Sequence, residues 1–162
     1  MSQIPVTTGV RFLRLHNIPF TPHLYGYEEH GGTGRAAQAL QVDEHAVIKT
    51  LVMETESRSP LIVLMHGDRE VSTRELARSL GVRSIRPCDP ATVTRHTGYQ
   101  VGGTSPFGTR TDLPVYVEES ILSLPCVYIN GGKRGFLVAV KPSDILTTLH
   151  PIRVHVAVTA VR

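Results

Sequence analysis

The stretch Cys126-Val127-Tyr128-Ile129-Asn130-Gly131-Gly132-Lys133-Arg134-Gly135-Phe136-Leu137-Val138-Ala139-Val140 decides the class of fold. Two apolar runs, 126–129 and 135–140, flank a glycine-rich basic turn at 130–134. Apolar runs separated by a short glycine-bearing segment read as a β-hairpin whose surplus residues go into a bulge or a longer loop. At least one antiparallel strand pair is therefore expected.

Outward from the hairpin, strand and helix signals alternate. Residues 47–53 and 61–65 are apolar runs that suit buried strands, and the polar segment between them suits a turn. Residues 21–25, 115–118 and 152–158 read as extended. Thr7 and Thr8 can cap a first helix over 9–17, and Ile18-Pro19 ends it because the residue before proline avoids the helical region. Residues 30–34 read as a loop and 35–40 as a short alanine-rich helix. Ser72-Thr73-Arg74-Glu75 is a capping box, followed by Leu76 and Leu80 one turn apart and a stop at Gly81. Asp89-Pro90 starts a further helix that Gly98 ends, and Lys141-Pro142-Ser143-Asp144 introduces the last. Intermixed helices and strands with at least one hairpin give an α/β (mixed α+β) domain. A mixed sheet, curled toward a barrel and flanked by short helices, is the expected architecture.

The whole of 1–162 fits one domain, since domains run to roughly 100–200 residues. The net charge of +3 permits an anionic partner without demanding one. No apolar run reaches the roughly 18 residues of a membrane span. The two cysteines, Cys88 and Cys126, lie far apart, which makes a reducing cytoplasm the expected location and packing their expected role. Several chemistries lose their motifs. There is no phosphate-binding GxxxxGK[ST], no HExxH and no GxSxG, and the eight histidines show no metal spacing. No metal and no cofactor is expected. Gly31-Gly32-Thr33-Gly34 matches a dinucleotide loop only loosely, without the preceding strand or the full spacing.

Three features remain. Lys49 stands inside an apolar strand, where a charged residue must pair, snorkel or act; an edge-strand lysine that blocks aggregation is the plainer reading. The segment Gly98-Tyr99-Gln100-Val101-Gly102-Gly103-Thr104-Ser105-Pro106-Phe107-Gly108 is bare enough for its backbone to approach a ligand, or it is a simple connection. The third feature is the basic turn Gly131-Gly132-Lys133-Arg134.

Together these features resemble the YbaK family of aminoacyl-tRNA deacylases, trans-editing domains related to the insertion domain of bacterial prolyl-tRNA synthetase. The resemblance runs from the first helix through Leu149. It rests on Ile18-Pro19-Phe20, Ala36-Ala37, Lys49-Thr50-Leu51, Gly98-Tyr99, Val101-Gly102-Gly103, Ser105-Pro106, Gly108 and Gly131-Gly132-Lys133-Arg134-Gly135. The family's GxxxP element falls on Gly102 and Pro106, and its strand lysine on Lys49. The resemblance implies metal-free release of a wrong amino acid from a tRNA 3′ end, by hydrolysis or, in members acting on cysteinyl-tRNA, by lyase-type attack of the substrate's own thiol on the ester with cyclisation. Lys49, Gly102 and Gly103 would be catalytic, and Tyr25, Thr104, Ser105, Pro106, Asn130, Gly131, Lys133 and Arg134 would hold substrate. Backbone amides near Gly102 and Gly103 would face the ester oxygen, and Lys133 and Arg134 would meet the tRNA backbone at the mouth. The implied partners are aminoacylated tRNA and prolyl-tRNA synthetase.

Specificity is where the chain departs from the pattern. Members acting on cysteinyl-tRNA carry an aromatic ahead of the Ala-Ala helix and a serine before the Gly-Gly-Lys-Arg turn. Here those zones hold Gly31-Gly32-Thr33-Gly34 and Asn130. Cysteine carried by tRNA(Pro) is the first expected substrate, alanine or another small amino acid the alternative, and Tyr25 is a candidate for the missing aromatic wall. A non-catalytic RNA- or nucleotide-binding module is the competing class.

Overall fold

The computed structural model describes residues 3–160. These carry α1 (Thr8–Leu15), α2 (Gly32–Leu40), α3 (Thr73–Leu80), α4 (Pro90–Thr97) and α5 (Pro142–Leu149). The strands are β1 (Thr21–Leu24), β2 (Val47–Thr55), β3 (Pro60–His66), β4 (Arg69–Val71), β5 (Ile85–Pro87), β6 (Val115–Glu118), β7 (Val127–Lys133), β8 (Phe136–Val140), β9 (Ile152–Val154) and β10 (Ala157–Thr159). Single turns of 3₁₀ helix occupy Glu44–Ala46 and Glu119–Ser123. Three of these helices begin where the sequence supplies a side-chain cap. Thr7, Ser72 and Asp89 accept from the amides of Val10, Glu75 and Thr92, each satisfying a donor the first turn leaves open.

The main sheet runs β1-β8-β7-β2-β3-β6-β9, with β5 joining β2 off that path. It is mixed: β7 pairs β8 and β2 pairs β3 antiparallel, whereas β2–β7, β3–β6 and β6–β9 are parallel. Among the described residues it is curled but not closed, with β1 and β9 as its ends. Ile48, Val52, Ile62 and Leu64 pack on one face with Val10 and Leu13 of α1, Val93 of α4, and Phe107. Met53, Leu61, Val63 and Met65 pack on the other with Leu76 and Ala77 of α3 and with Val154 and Val156. Ala36 and Ala37 of α2 cover Val47 and Leu137 beside that second layer. Each fully buried aliphatic side chain contributes about 1.5–3 kcal/mol, so the alternation along β2 and β3 fixes both layers at once.

The two edges of β2 are used unequally. Its β3 edge is paired from Ile48 to Glu54. On the other edge β7 pairs only with Val47 and Ile48, and β5 only with Met53, Glu54 and Thr55. The sheet splits between them.

Several expectations are corrected. The Asn130 bulge is present, as a register shift between Asn130 and Lys133, but β7 runs through Lys133, so the reversal itself is only Arg134 and Gly135. Helix α2 starts at Gly32, inside the expected loop, where Thr33 is fixed by hydrogen bonds from its hydroxyl to Glu44 and to the Gly67 carbonyl. Helix α1 ends at Leu15, and Asn17 takes a left-handed conformation. The expected terminal strand 152–158 is two strands with different partners. The chain turns at His155 and Val156, where the buried Glu118 carboxylate accepts from the amides of Val156 and Ala157. Lys49 lies on an interior strand, so the edge-strand reading does not hold.

The 98–110 segment is anchored by its own backbone. Gly108 has φ +66, and a Cβ there would sit 2.5 Å from the Thr8 carbonyl oxygen, which belongs to α1 and cannot yield. Gly108→Ala is expected to cost about 2 kcal/mol or more, because strain and a backbone clash add. Urea unfolding monitored by circular dichroism measures it; a midpoint equal to wild type would contradict this packing.

Candidate active site

The split in the sheet opens a cleft of about 470 Å³, within the range of small-ligand sites. Residues 47–53 of β2 form its floor. Tyr25, Tyr27, Thr33 and Ala36 line the α2 end, and Pro87, Cys88 and Val93 line the apolar far end. Val101, Gly102 and Thr104 form a wall with Asn130. The carbonyl of Val52 accepts from the Cys88 amide at 3.1 Å, so it faces the split edge. Strand alternation turns the backbone polar groups of Thr50 to the same opening. The Thr50 hydroxyl is buried and has no partner among the described residues.

Lys49 is half-buried on the α2–α3 side of β2, and its ammonium donates to the Arg69 carbonyl. Burial pushes its pKa below the ordinary lysine value, while Glu70, Glu44 and Asp68 pull it back up. The strand thus places one cation on a floor that is apolar but for Thr50, and three nearby carboxylates offset part of the effect of burial.

Asn130 fastens the wall. Its side-chain oxygen accepts from the amides of Gly132 at 2.6 Å and Lys133 at 3.1 Å. Its nitrogen donates to the carbonyls of Gly102 at 3.3 Å and Lys133 at 3.2 Å. One side chain thus shapes the bulge and ties it to the loop. Gly102 has φ +88, and a Cβ there would sit 2.8 Å from the Tyr27 phenol oxygen.

Of the residues expected at a site, the structure brings Tyr25, Lys49, Gly102, Thr104 and Asn130 to the cleft. The others are arranged differently. The Gly103 amide donates to Gln100 at 2.9 Å, and its Cα packs so tightly on the hairpin that a Cβ would meet the Arg134 amide nitrogen at 2.7 Å. Ser105 is fully buried and its hydroxyl accepts from the Phe107 amide, while Pro106 is buried beside it. Gly131 accepts from Thr7 through its carbonyl and packs on the Phe136 ring. Lys133 and Arg134 are exposed, and the Arg134 Nε donates to the Val101 carbonyl at 3.0 Å. Gly103, Ser105, Pro106 and Gly131 are buried and hold the loop and turn in shape behind the wall, whereas Lys133 and Arg134 lie exposed at the turn. Sequence reasoning passed over Tyr27, which alternates with Tyr25, and Thr50, which adjoins Lys49; both spacings were visible.

Cys88 reaches the cleft rather than packing wholly in the core. Burial, and then the neighbouring Glu54 carboxylate, push its thiol up to about 12. His45, His66 and Asp68 also come together, with ligand atoms within 4.8 Å of one another. The two imidazoles stack at 3.7 Å and 7°, so their in-plane lone pairs run parallel rather than converging on one ion. Both nitrogens of His66 are engaged, with the His45 carbonyl and the Ser120 hydroxyl at 2.7 Å each. The cluster pins β3 to its flanking turns.

The family model described as "Aminoacyl-tRNA editing domain" matches residues 30–148. The Enterococcus faecalis protein named "Putative Cys-tRNA(Pro)/Cys-tRNA(Cys) deacylase EbsC" is 25% identical over 142 residues, covering 87% of this chain and 87% of that one. A proline–tRNA ligase of Brachyspira hyodysenteriae is 31% identical over 86 residues, covering 53% of this chain and 15% of the ligase. The crystal structure of "a putative trans-editing enzyme for prolyl tRNA synthetase" has the same fold, with TM-score 0.81, 24% identity and coverage of 96% and 98% of the two chains. The chain belongs to the aminoacyl-tRNA editing domain family.

A lysine whose folded pKa lies below its unfolded value costs stability while both states are protonated. That cost fades as pH rises from the folded pKa toward about 10.5. Lys49→Met is therefore expected to melt no lower than wild type at neutral pH, with the gap closing toward pH 10; a clearly lower melting temperature would mean that the lost bond to Arg69 dominates. Cys88, with roughly one part in ten thousand as thiolate at pH 8, should resist iodoacetamide in the folded protein and react after unfolding. Peptide mass spectrometry reads this, and rapid native alkylation of Cys88 would refute it.

Proposed function

We propose that this aminoacyl-tRNA editing domain is a deacylase that frees a mischarged small amino acid, cysteine on tRNA(Pro) first, from the tRNA 3′ end. The observation that carries the reading is that Lys49, Gly102 and Thr104 line one cleft. The EbsC likeness supports cysteine, and the apolar far end at Met53, Pro87, Cys88 and Val93 suits a small, weakly polar side chain. Kinship with part of proline–tRNA ligases supports action in trans beside prolyl-tRNA synthetase, and a cytoplasmic location goes with that role.

The chemistry is modest because an ester is already activated. Water adds to the carbonyl carbon, the bond from that carbon to the ribose oxygen breaks, and the terminal hydroxyl takes up a proton. Lys49 donates hydrogen bonds to the ester end of the terminal ribose, exchanging its contact with the Arg69 carbonyl for one with substrate. The Gly102 backbone presses against the aminoacyl group and fixes the carbonyl. Such positioning, with donors oriented in advance toward developing negative charge, lowers the barrier without a protein nucleophile.

Incubation with a panel of aminoacylated tRNAs tests the reading through loss of the amino acid. Cys-tRNA(Pro) is expected to be cleaved fastest. Preference for Ala-tRNA(Pro) would move the specificity to alanine, and no release from any member would overturn deacylation. Lys49→Ala and Gly102→Ala should each lower turnover about 100-fold. Wild-type turnover in folded Lys49→Ala would remove Lys49 from catalysis.

A further inference from the structure

The mouth of the cleft holds an aromatic–cation pair that the ester chemistry does not use. Tyr27 lies in the irregular segment after β1 and lines the cleft beside Tyr25. The Arg134 guanidinium lies over its ring, 5.2 Å from the centroid. Arg134 is held there by its Nε bond to the Val101 carbonyl, spent on a neutral oxygen rather than on a carboxylate. The phenol oxygen of Tyr27 reaches the space over Gly102. Three segments distant in sequence thus meet at one spot on the rim.

This spot is not core. Tyr27 is 37% exposed and Val101 47%, and Arg134 is exposed as well. A hairpin turn requires neither an aromatic ring nor a guanidinium laid on it. Both groups offer flat, polarisable faces, and a flat cation beside an aromatic ring is how proteins hold unstacked nucleobases. Its distance from the chemistry also fits. The ester and the terminal base belong to one nucleotide, so a base-binding surface must adjoin the wall that meets the ester, and Tyr27 touches that wall at Gly102.

We propose that Tyr27 and Arg134 form a stacking platform for the base of the terminal tRNA nucleotide. The proposal rests on the deacylase reading and adds what recognises the RNA end. Arg134 then serves through its planar face as well as its charge, so Arg134→Lys, which keeps the cation but loses the plane, is not a conservative change.

The experiment compares aminoacyl-tRNA with an ethyl ester of the same amino acid, which has no base. Tyr27→Leu is expected to raise KM for aminoacyl-tRNA about tenfold relative to KM for the ethyl ester, with kcat on tRNA far less affected. Tyr27→Phe should restore the ratio, and Arg134→Lys should move it in the same direction as Tyr27→Leu. A parallel measurement, independent of turnover, follows fluorescence anisotropy of a labelled CCA trinucleotide, whose binding Tyr27→Leu should weaken about tenfold. An unchanged KM ratio together with unchanged trinucleotide binding overturns the platform. So does an equal loss on both esters, since that reports a deformed wall. If wild type cleaves neither ester yet binds the trinucleotide through Tyr27, the deacylase reading falls and the platform stands.

Discussion

The whole site depends on a strand that is paired along one edge and only partly along the other. β2 gives its β3 edge to an unbroken antiparallel ladder, and that ladder holds it rigid. Because one edge is secured, the other can be divided between β7 and β5 without loss of the strand. Unpaired backbone in a buried setting normally costs stability, so a gap of this kind persists only where solvent or a ligand can enter. The floor of the cleft is thus the interior of the sheet, exposed at one point.

The consequence for Lys49 is a compromise between solvation and placement. A loop lysine would be better hydrated but would wander. On β2 its backbone is fixed, and the ammonium is stripped of enough water that burial lowers its pKa. Glu44, Asp68 and Glu70 limit that cost, and the Arg69 carbonyl satisfies one of its donors. Burial and the neighbouring Glu54 carboxylate keep Cys88, which lines the same cleft, a neutral thiol. Floor and wall are assigned to different structures: the floor to sheet, the wall to a glycine-rich loop that Asn130 holds in place.

Much of this was legible in the sequence and some was not, for identifiable reasons. The capping residues Ser72 and Asp89, the hairpin bulge at Asn130 and the long strands at 47–53 and 61–65 are local signals, and the structure follows them. The short strands β4 and β5 carry no apolar period, and they exist because longer elements offer them edges. The expected terminal strand broke in two because Glu118, distant in sequence, captures two amides there. At the site, Lys49 and Gly102 were marked by residue type. The split edge that joins them is a matter of pairing, which no window of sequence contains. Tyr27 has the visible spacing to Tyr25, but its partner Arg134 stands more than a hundred residues away in the hairpin reversal, so their pairing is not a local signal.

Asn130 explains why a change at one pocket position need not be a change of substrate. Where a serine would offer one short hydroxyl, Asn130 makes four hydrogen bonds, accepting from Gly132 and Lys133 and donating to the carbonyls of Gly102 and Lys133. An amide has two donors and a carbonyl oxygen with two lone pairs, so this capacity is spent on the protein itself. Little remains for reading an amino acid. The side chain instead fixes the position of the Gly102 carbonyl, and with it the wall that an aminoacyl group must pass. On the proposed deacylase reading, selectivity at this end of the cleft would come from the shape of the wall, and a bound side chain would be read at the floor, where the Thr50 hydroxyl has no partner among the described residues. A buried hydroxyl without a partner is costly, and a substrate thiol or hydroxyl that met it would recover that cost only when the correct side chain was bound.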